Sequence, residues 1–356
     1  MYTKLTVYFA RLFNSIFRNS GVYVRYAGHN VLSTYYKNPP VNYVLKQFST
    51  LNHYINDIPL DNRKPFIIEF EHLLFMSGVS RDYKKMIDSV NNSLVILESD
   101  LCKAIIVWSN GTIREMEKYI DISSIEHKIH LVRPASDPIK SNQKKDQDTF
   151  RILNIGNKFW VKGTFAAIQA FNKFNKNHPE TKFTIACNDV PNSFNISDNI
   201  EIINTPMLSS ERKNYLFNKA DVFLFPCLHD SYGVYIEALA YALPMISSHI
   251  FDKAEIIIDN KCGYLIEPPF SLYEHNIGLD YKDYDEFVSL IQKKYSNGEF
   301  EEMINKMVEK LEYLYNNKEV LQEMGANCHN HLVDTFSIEE RNLRLTEIYT
   351  NILKDL

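Results

Sequence analysis

The regular alternation of short apolar runs with helix-like stretches, from residue 149 onward, most constrains what this chain can fold into. Apolar runs of strand length occur at 150–155, 182–186, 200–203, 222–226 and 245–247. Stretches with helical periodicity lie between them at 162–175, 210–219 and 235–241. Strands that alternate with helices of this length predict repeated βαβ units and a parallel sheet.

A weaker alternation precedes residue 140, with strand-like runs at 66–70, 104–109 and 129–132 and a helix-like run at 112–119. The run at 93–97 fits either a helix end or a short strand. A wholly polar segment at 141–148 predicts a linker. We therefore expect an α/β protein with two Rossmann-like, doubly wound domains that face each other across a cleft. These domains would cover 1–146 and 147–335, followed by a helix at 336–356.

Composition excludes several classes of protein. The chain is 45% hydrophobic and 23% charged, which excludes a disordered chain. The formal net charge of -5 argues against a nucleic-acid partner, because nucleic-acid binders are basic. The five cysteines form no CxxC pair, so we expect no zinc site and reduced thiols in a cytoplasmic protein. No apolar run reaches the roughly 18 residues of a membrane span.

The N-terminal segment mixes aromatic and aliphatic side chains with Lys4, Arg11 and Arg18. Arg11 interrupts the apolar stretch too early for a signal peptide. Two interpretations stay open: a first strand that runs into a helix, or a basic amphipathic surface that touches anionic lipid. The second interpretation predicts a peripheral membrane contact through this basic and aromatic segment.

Glycine is scarce, with 11 residues in 356, so each glycine is informative. Gly156 follows the apolar run at 150–155 and predicts a tight turn off that strand. Lys162 and Gly163 then stand at the predicted start of a helix. A lysine there either supplies a point charge to a phosphate, reinforced by helix N-terminal amides, or is simply solvated.

A second loop and helix follow the apolar run at 222–226. Asp230 or Ser231 is a natural N-cap, and Gly233 leaves room for a diphosphate near the first-turn amides. Glu237 lies further along that helix, on a face that is otherwise apolar. It is either a partly solvated carboxylate or an acceptor for two vicinal ribose hydroxyls.

These two segments together resemble a family of enzymes. The 156–163 loop is similar to the G-R-x4-K-G loop of the family 4 retaining glycosyltransferases, which have the GT-B architecture. Residues 229–244 are similar to that family's E-x7-E segment, and 245–266 and 336–353 resemble its following stretch and its closing helix, which crosses back to the first domain. The resemblance covers about residues 151–356.

The resemblance implies a nucleotide-diphosphate sugar donor, of UDP or GDP type, and retention of anomeric configuration. Lys162 and the amides near Tyr232, Gly233 and Val234 would contact the diphosphate, and Glu237 the ribose. No metal or other cofactor is implied, because cationic groups and the helix dipole stabilise the leaving diphosphate. The implied donor-binding residues are Gly156, Asn157, Lys158, Lys162, His229, Ser231, Tyr232, Gly233, Val234 and Glu237.

Three positions depart from the family pattern. Asn157 occupies the arginine position, where Lys158 is a substitute cation without the bidentate fork. The spacing to Glu237 places His229 at the first acidic position, one residue before Asp230, so either side chain would reach the donor sugar. Ala242 replaces a helix-terminal glycine.

The first domain resembles the family only loosely. In the segment 69–72, we expect a carboxylate and the His72 imidazole at a strand end to face the cleft. His72 either assists near the donor sugar, as a histidine does in related enzymes, or is a satisfied loop histidine. The implied catalytic residues are His72, Asp230 and Glu237, with no paired carboxylates required.

The predicted activity is sugar transfer to a glycan, lipid-linked or protein acceptor. Two alternatives stay open: a nucleotide-sugar epimerase with the same fold, and a non-catalytic nucleotide-sugar-binding subunit. A dehydrogenase is excluded because the chain has no G-x-G-x-x-G fingerprint.

Overall fold

A computed structural model describes residues 22–26, 51–56, 63–73, 94–139, 149–205, 208–229, 232–270 and 284–356. The chain divides into two compact units. The first contains Met1–Pro134 together with Glu339–Leu356, and the second contains Ala135–Ile338. The division thus falls at Pro134, whereas the polar segment at 141–148 lies outside the described residues, so the predicted domain limits stay a prediction.

Within the described residues, the sheet of the first unit has five parallel strands in the order β1-β2-β3-β4-β5. These are β1 (Val22–Tyr26), β2 (Leu51–Ile55), β3 (Phe66–Phe70), β4 (Cys102–Val107) and β5 (Ile129–Leu131). All of β3 is buried, as expected of a parallel strand covered on both faces. Helix α1 (Asn110–Tyr119) follows β4, with the Ser109 side chain capping its N-terminus. Residues 94–98 are helical, which decides between the two interpretations of that run.

In the second unit, the part of the chain that the structure describes forms a sheet of six parallel strands in the order β11-β10-β9-β6-β7-β8. These are β6 (Arg151–Ile155), β7 (Lys182–Ala186), β8 (Ile200–Ile203), β9 (Val222–Phe225), β10 (Met245–Ser248) and β11 (Gly263–Ile266). From β6 the chain builds outward through β7 to β8, then returns to place β9 on the other side of β6. Strands β6 and β9 therefore flank the topological switch point, outside whose carboxyl ends ligands bind in such sheets.

The helices of the second unit cover the sheet with apolar faces. They are α2 (Thr164–Asn175), α3 (Ser210–Lys219), α4 (Gly233–Ala240), α5 (Lys253–Ile256), α6 (Tyr284–Ser296), α7 (Glu301–Asn316) and α8 (Lys318–Thr335). In α2, Phe165, Ile168 and Phe171 are fully buried and join the core that α7 also contacts. Such a helix gains most of its stability from this packing rather than from intrinsic propensity.

Two helix boundaries differ from the sequence-based expectation. Helix α2 begins at Thr164, with Gly163 as N-cap at a φ of 69°, so Lys162 precedes the helix. Helix α4 begins at Gly233, two residues before the expected start at 235. A left-handed residue cannot continue a right-handed helix, which explains the later start of α2.

The last helix, α9 (Ile338–Lys354), groups with the first unit from Glu339 onward. Two parallel-sheet α/β domains confirm the predicted fold class. No helix in the described part of the chain is long and apolar enough to cross a membrane. The N-terminal basic and aromatic segment lies outside the described residues.

Candidate functional site

The loop between β6 and α2 has a defined backbone. The Lys162 amide donates to the Lys158 carbonyl at 3.0 Å, and the Phe159 amide donates to Asp189 Oδ1 at 2.9 Å. Lys158 adopts a φ of 72°, an unusual conformation for a residue with a side chain. Asn157 and Lys158 are exposed, and Lys162 is half-buried. The loop therefore presents two lysines on a fixed backbone.

Both glycines of this loop are required by the neighbouring strand. A Cβ on Gly156 would lie 2.6 Å from the Phe225 ring. A Cβ on Gly163 would lie 1.8 Å from the Pro226 carbonyl oxygen, and the φ of 69° adds strain for any other residue. The loop after β6 is thus packed directly on the end of β9.

The loop after β9 contacts the 156–163 loop in turn. The Leu228 amide donates to the Val161 carbonyl at 3.0 Å, and Cys227 Sγ lies 3.8 Å from the same oxygen. The two segments singled out from the sequence therefore touch each other at the carboxyl ends of β6 and β9. This is the position at which a parallel sheet binds its ligand.

The N-terminus of α4 opens from this second loop. Its helix starts at Gly233, and its first turn contains no acidic residue. The amides of Gly233 and Val234, both half-buried, precede the first intrahelical bonds, which Tyr235 and Ile236 make to the Tyr232 carbonyl. Such a turn favours an anion through its amides and its dipole.

Of the four residues just before α4, the structure describes His229 and Tyr232. Tyr232 is fully buried, and its carbonyl accepts the first hydrogen bonds of α4. His229 is half-buried, and its carbonyl accepts from Cys227 Sγ at 2.8 Å. Asp230 and Ser231 lie outside the described residues. The choice between His229 and Asp230 therefore stays a prediction.

The side chain of Tyr235, in α4, belongs to a buried polar network. The Tyr235 hydroxyl contacts the Phe225 carbonyl at 3.0 Å and Ser247 Oγ at 2.6 Å. Lys253 Nζ lies 5.1 Å from the centre of the Tyr235 ring and 2.8 Å from Asp252 Oδ1. Burial raises the pKa of Tyr235, so its hydroxyl stays protonated and remains a donor. Sequence reasoning missed this network, because its charged pair, Asp252 and Lys253, lies beyond the end of β10 in no recognised pattern.

Glu237 has a partner that sequence reasoning also missed. Lys213 Nζ, from α3, forms an ion pair with Glu237 Oε1. The Lys213 side chain is 9% exposed and that of Glu237 is 21% exposed. The pKa of Tyr241, one turn further along, is raised to about 12 by burial and by the Glu237 charge. The site thus holds a carboxylate that is paired with a largely buried lysine.

In the first unit, the segment 69–72 spans the end of β3. Glu69 is fully buried and lies 2.6 Å from Arg341 Nη2. Arg341 and His53 therefore hold this carboxylate within the first unit, and the expectation that a carboxylate of 69–72 faces the cleft stays a prediction. His72 is 9% exposed, and its catalytic role stays a prediction.

Within the described ranges, no group of three or more His, Cys, Asp or Glu residues could hold a metal ion. All five cysteines are free and buried.

Two contacting loops at the switch point of one parallel sheet, in a chain that also has a second parallel-sheet unit, define a two-domain α/β protein. Residues 136–275 match the family model described as glycosyl transferases group 1. Over these residues, the second unit is similar to that family. No curated protein sequence matches the chain significantly.

Solved structures support the same fold. A glycosyltransferase from Rickettsia africae ESF-5 is 13% identical, with a TM-score of 0.62 over 94% of this chain and 90% of that one. Sucrose-phosphate synthase from Thermosynechococcus elongatus is 13% identical, with a TM-score of 0.61 over 92% and 80%. The pneumococcal O-GlcNAc transferase GtfA, solved with UDP and GlcNAc, is 16% identical, with a TM-score of 0.59 over 85% and 57%. At these identities the likeness establishes the GT-B fold.

Proposed function

We propose that this protein is a retaining glycosyltransferase that moves a sugar from a nucleotide-diphosphate donor to a hydroxyl-bearing acceptor. The supporting observation is the direct contact between the 156–163 loop and the loop after β9, inside the segment that matches the family model. The donor binds the second unit, and the acceptor, a glycan, lipid-linked or protein molecule, binds the first.

The diphosphate is held by Lys162 and by the first-turn amides of α4. Lys158 supplies a second cation next to Asn157. Glu237 accepts hydrogen bonds from the ribose hydroxyls. A UDP-type donor is proposed first, because pneumococcal GtfA and the S. aureus TarM variant were solved with UDP, and a GDP-type donor is the alternative.

In the reaction, the bond between the anomeric carbon and the donor phosphate breaks, and the electron pair leaves with the diphosphate. Lys162 and the α4 dipole stabilise that leaving group, so no metal is needed. The acceptor hydroxyl forms the new bond on the same face and gives its proton to the departing phosphate oxygen. His72, with either Asp230 or His229, assists near the donor sugar.

Two sequence features bear on the cellular location of the protein and on whether it is catalytically active. We place the protein in the cytoplasm, with the N-terminal basic and aromatic segment as a peripheral membrane contact. Exposed Asn157, at the arginine position of the family loop, is the observation that favours a non-catalytic nucleotide-sugar-binding subunit as second candidate.

A transfer assay tests the proposal. Purified protein is incubated with UDP-sugars and GDP-sugars and an acceptor panel, and the anomeric configuration of the product is read by NMR. We expect retention, with activity lost in Lys162→Met and Glu237→Gln and kept in Lys306→Met, an exposed lysine on α7. Inversion contradicts the retaining mechanism. Epimerised donor without acceptor indicates an epimerase, and binding without turnover indicates the non-catalytic subunit.

A further inference from the structure

Lys213 is a buried lysine from α3 whose ammonium group is paired with the proposed ribose ligand, Glu237. Resting on the proposed function, we propose that Lys213 is a positioning residue for nucleoside recognition. It fixes the Glu237 carboxylate so that the carboxylate distinguishes a ribose from a 2′-deoxyribose. The ribose site is therefore a lysine–glutamate pair rather than a lone acid.

The pair joins two helices that flank β9 in the sequence. Lys213 lies in α3, which precedes β9, and Glu237 lies in α4, which follows it. The Lys213 side chain is 9% exposed, whereas the Glu237 side chain keeps 21% of its surface accessible. The lysine is thus shielded, and the carboxylate is the member of the pair that a ligand reaches.

Burial decides whether ribose displaces the lysine or binds beside it. Removing one member of a buried ion pair leaves an uncompensated charge, which is strongly unfavourable. Ribose hydroxyls are neutral donors and do not compensate for that loss. The Lys213–Glu237 pair therefore persists when ribose binds.

The geometry leaves room for ribose on the carboxylate. An ionised carboxylate has two oxygens with about four acceptor positions. Lys213 occupies Oε1, so Oε2 and the remaining lone pair of Oε1 face two vicinal hydroxyls. Without the lysine, Glu237 rotates freely, and its alignment with both hydroxyls is lost.

Neighbouring contacts hold the two helices in register. The Tyr241 ring stacks on Phe217, with ring centres 4.8 Å apart and planes inclined by 8°. The Tyr241 hydroxyl donates to Asn214 Oδ1 at 2.9 Å, and Asn218 donates to the same oxygen at 3.0 Å. These contacts between the end of α4 and α3 fix where Lys213 meets Glu237.

The test is calorimetric titration with UDP and 2′-deoxy-UDP, with GDP, ADP and their 2′-deoxy forms run in parallel. We expect Lys213→Met to weaken binding of the ribonucleotide about tenfold while leaving the 2′-deoxy form nearly unchanged. Lys213→Arg keeps the charge and should keep part of the ribose preference. The matched control is Arg212→Met. Arg212 is an exposed arginine on the same helix as Lys213, and it pairs with Glu201 in β8.

A Glu237→Gln background separates positioning from a general structural role. Because Lys213 acts through Glu237, Lys213→Met should add no further loss there. Three results would overturn this inference but not the proposed function. Lys213→Met could weaken binding of the ribo and 2′-deoxy forms equally, it could still weaken binding in the Glu237→Gln background, or it could tighten binding. Failure of the wild type to bind any of the three diphosphates overturns the proposed function as well. Thermal unfolding of each variant verifies that it is folded.

Discussion

Arg341, in the last helix of the chain, donates from Nη2 to Glu69 Oε1 in β3 at 2.6 Å. Trp108 Nε1 donates to the same oxygen at 2.6 Å, and His53 Nε2 lies 3.0 Å from the other oxygen. Arg341 Nη1 also donates to the Arg133 carbonyl at 2.8 Å. Helix α9 is therefore tied to the sheet of the first unit by a buried carboxylate that is surrounded by donors.

Replacing Arg341 by methionine should destabilise the protein by about 3–5 kcal/mol, because it leaves the buried Glu69 carboxylate without its arginine partner. The measurement is urea unfolding. Arg344→Met is the control, since Arg344 forms an exposed pair with Glu340 on the same helix and should change stability by less than about 0.5 kcal/mol. Similar losses in the two variants would refute a structural role for the buried pair.

The same network predicts acid sensitivity. Burial alone would raise the pKa of Glu69, but Arg341 and His53 outweigh it and lower the pKa from 4.5 to about 2. A carboxyl group with a lowered pKa adds stability above its unfolded value, and that stability is lost as the pH falls from about 4.5 towards 2. The free energy of unfolding of the wild type should therefore approach that of Glu69→Gln across this range. A constant difference between them would contradict the assignment.

Ala242 ends helix α4 in a left-handed conformation, with a φ of 53°. The Leu243 amide donates to the Ala238 carbonyl and the Ala242 amide to the Leu239 carbonyl, which is the Schellman pattern that favours glycine at this position. Ala242→Gly should stabilise the protein by about 0.5–1 kcal/mol, the relieved strain less the extra chain entropy. Ala240→Gly, inside the helix, should destabilise it by a similar amount. Thermal unfolding of both variants checks the opposite signs.

Gly325, in α8, allows a close approach to that same turn. A Cβ on Gly325 would lie 2.9 Å from the Ala242 carbonyl oxygen. Gly325→Ala should therefore destabilise the protein by about 1–3 kcal/mol in urea unfolding, although alanine is the better helix former. A gain of about 1 kcal/mol, as at an unhindered helical position, would show that α8 does not pack there as described.

Much of this fold could be predicted from the sequence. The runs expected at 66–70, 182–186 and 200–203 coincide with β3, β7 and β8. In β3 the reason is that a parallel strand buried on both faces has a nearly continuous apolar sequence. The start of α2 was predicted less accurately. Only the left-handed backbone conformation of Gly163 reveals that Lys162 precedes the helix.

The candidate site was predictable only where its residues follow a strand. Lys162, Gly233 and Glu237 stand at fixed offsets from apolar runs, so sequence spacing finds them. Lys213 and Arg341 reach their partners from elements distant in sequence, and the packing that brings them together leaves no local pattern. The burial of Glu69 could not be predicted for the same reason, because Arg341 lies far along the chain.

Lys162 should act on phosphate rather than on the nucleoside. Lys162→Met is expected to weaken binding of UDP or GDP about tenfold and that of the parent nucleoside hardly at all, since a charged hydrogen bond is lost only from the diphosphate. Calorimetric titration with nucleoside, monophosphate and diphosphate checks this order. Lys306→Met serves as the control, and equal weakening of all three ligands would place Lys162 outside the phosphate site.

The central claim is that a nucleoside diphosphate binds where the two loops of the second unit meet. Hydrogen exchange with mass spectrometry tests it most directly, with saturating UDP, GDP or ADP compared with the free protein. We predict slowed exchange in peptides covering 156–164 and 232–240, and unchanged exchange in the distal helix Glu301–Asn316. Protection confined to other segments, or none with any of the three ligands, would contradict the account.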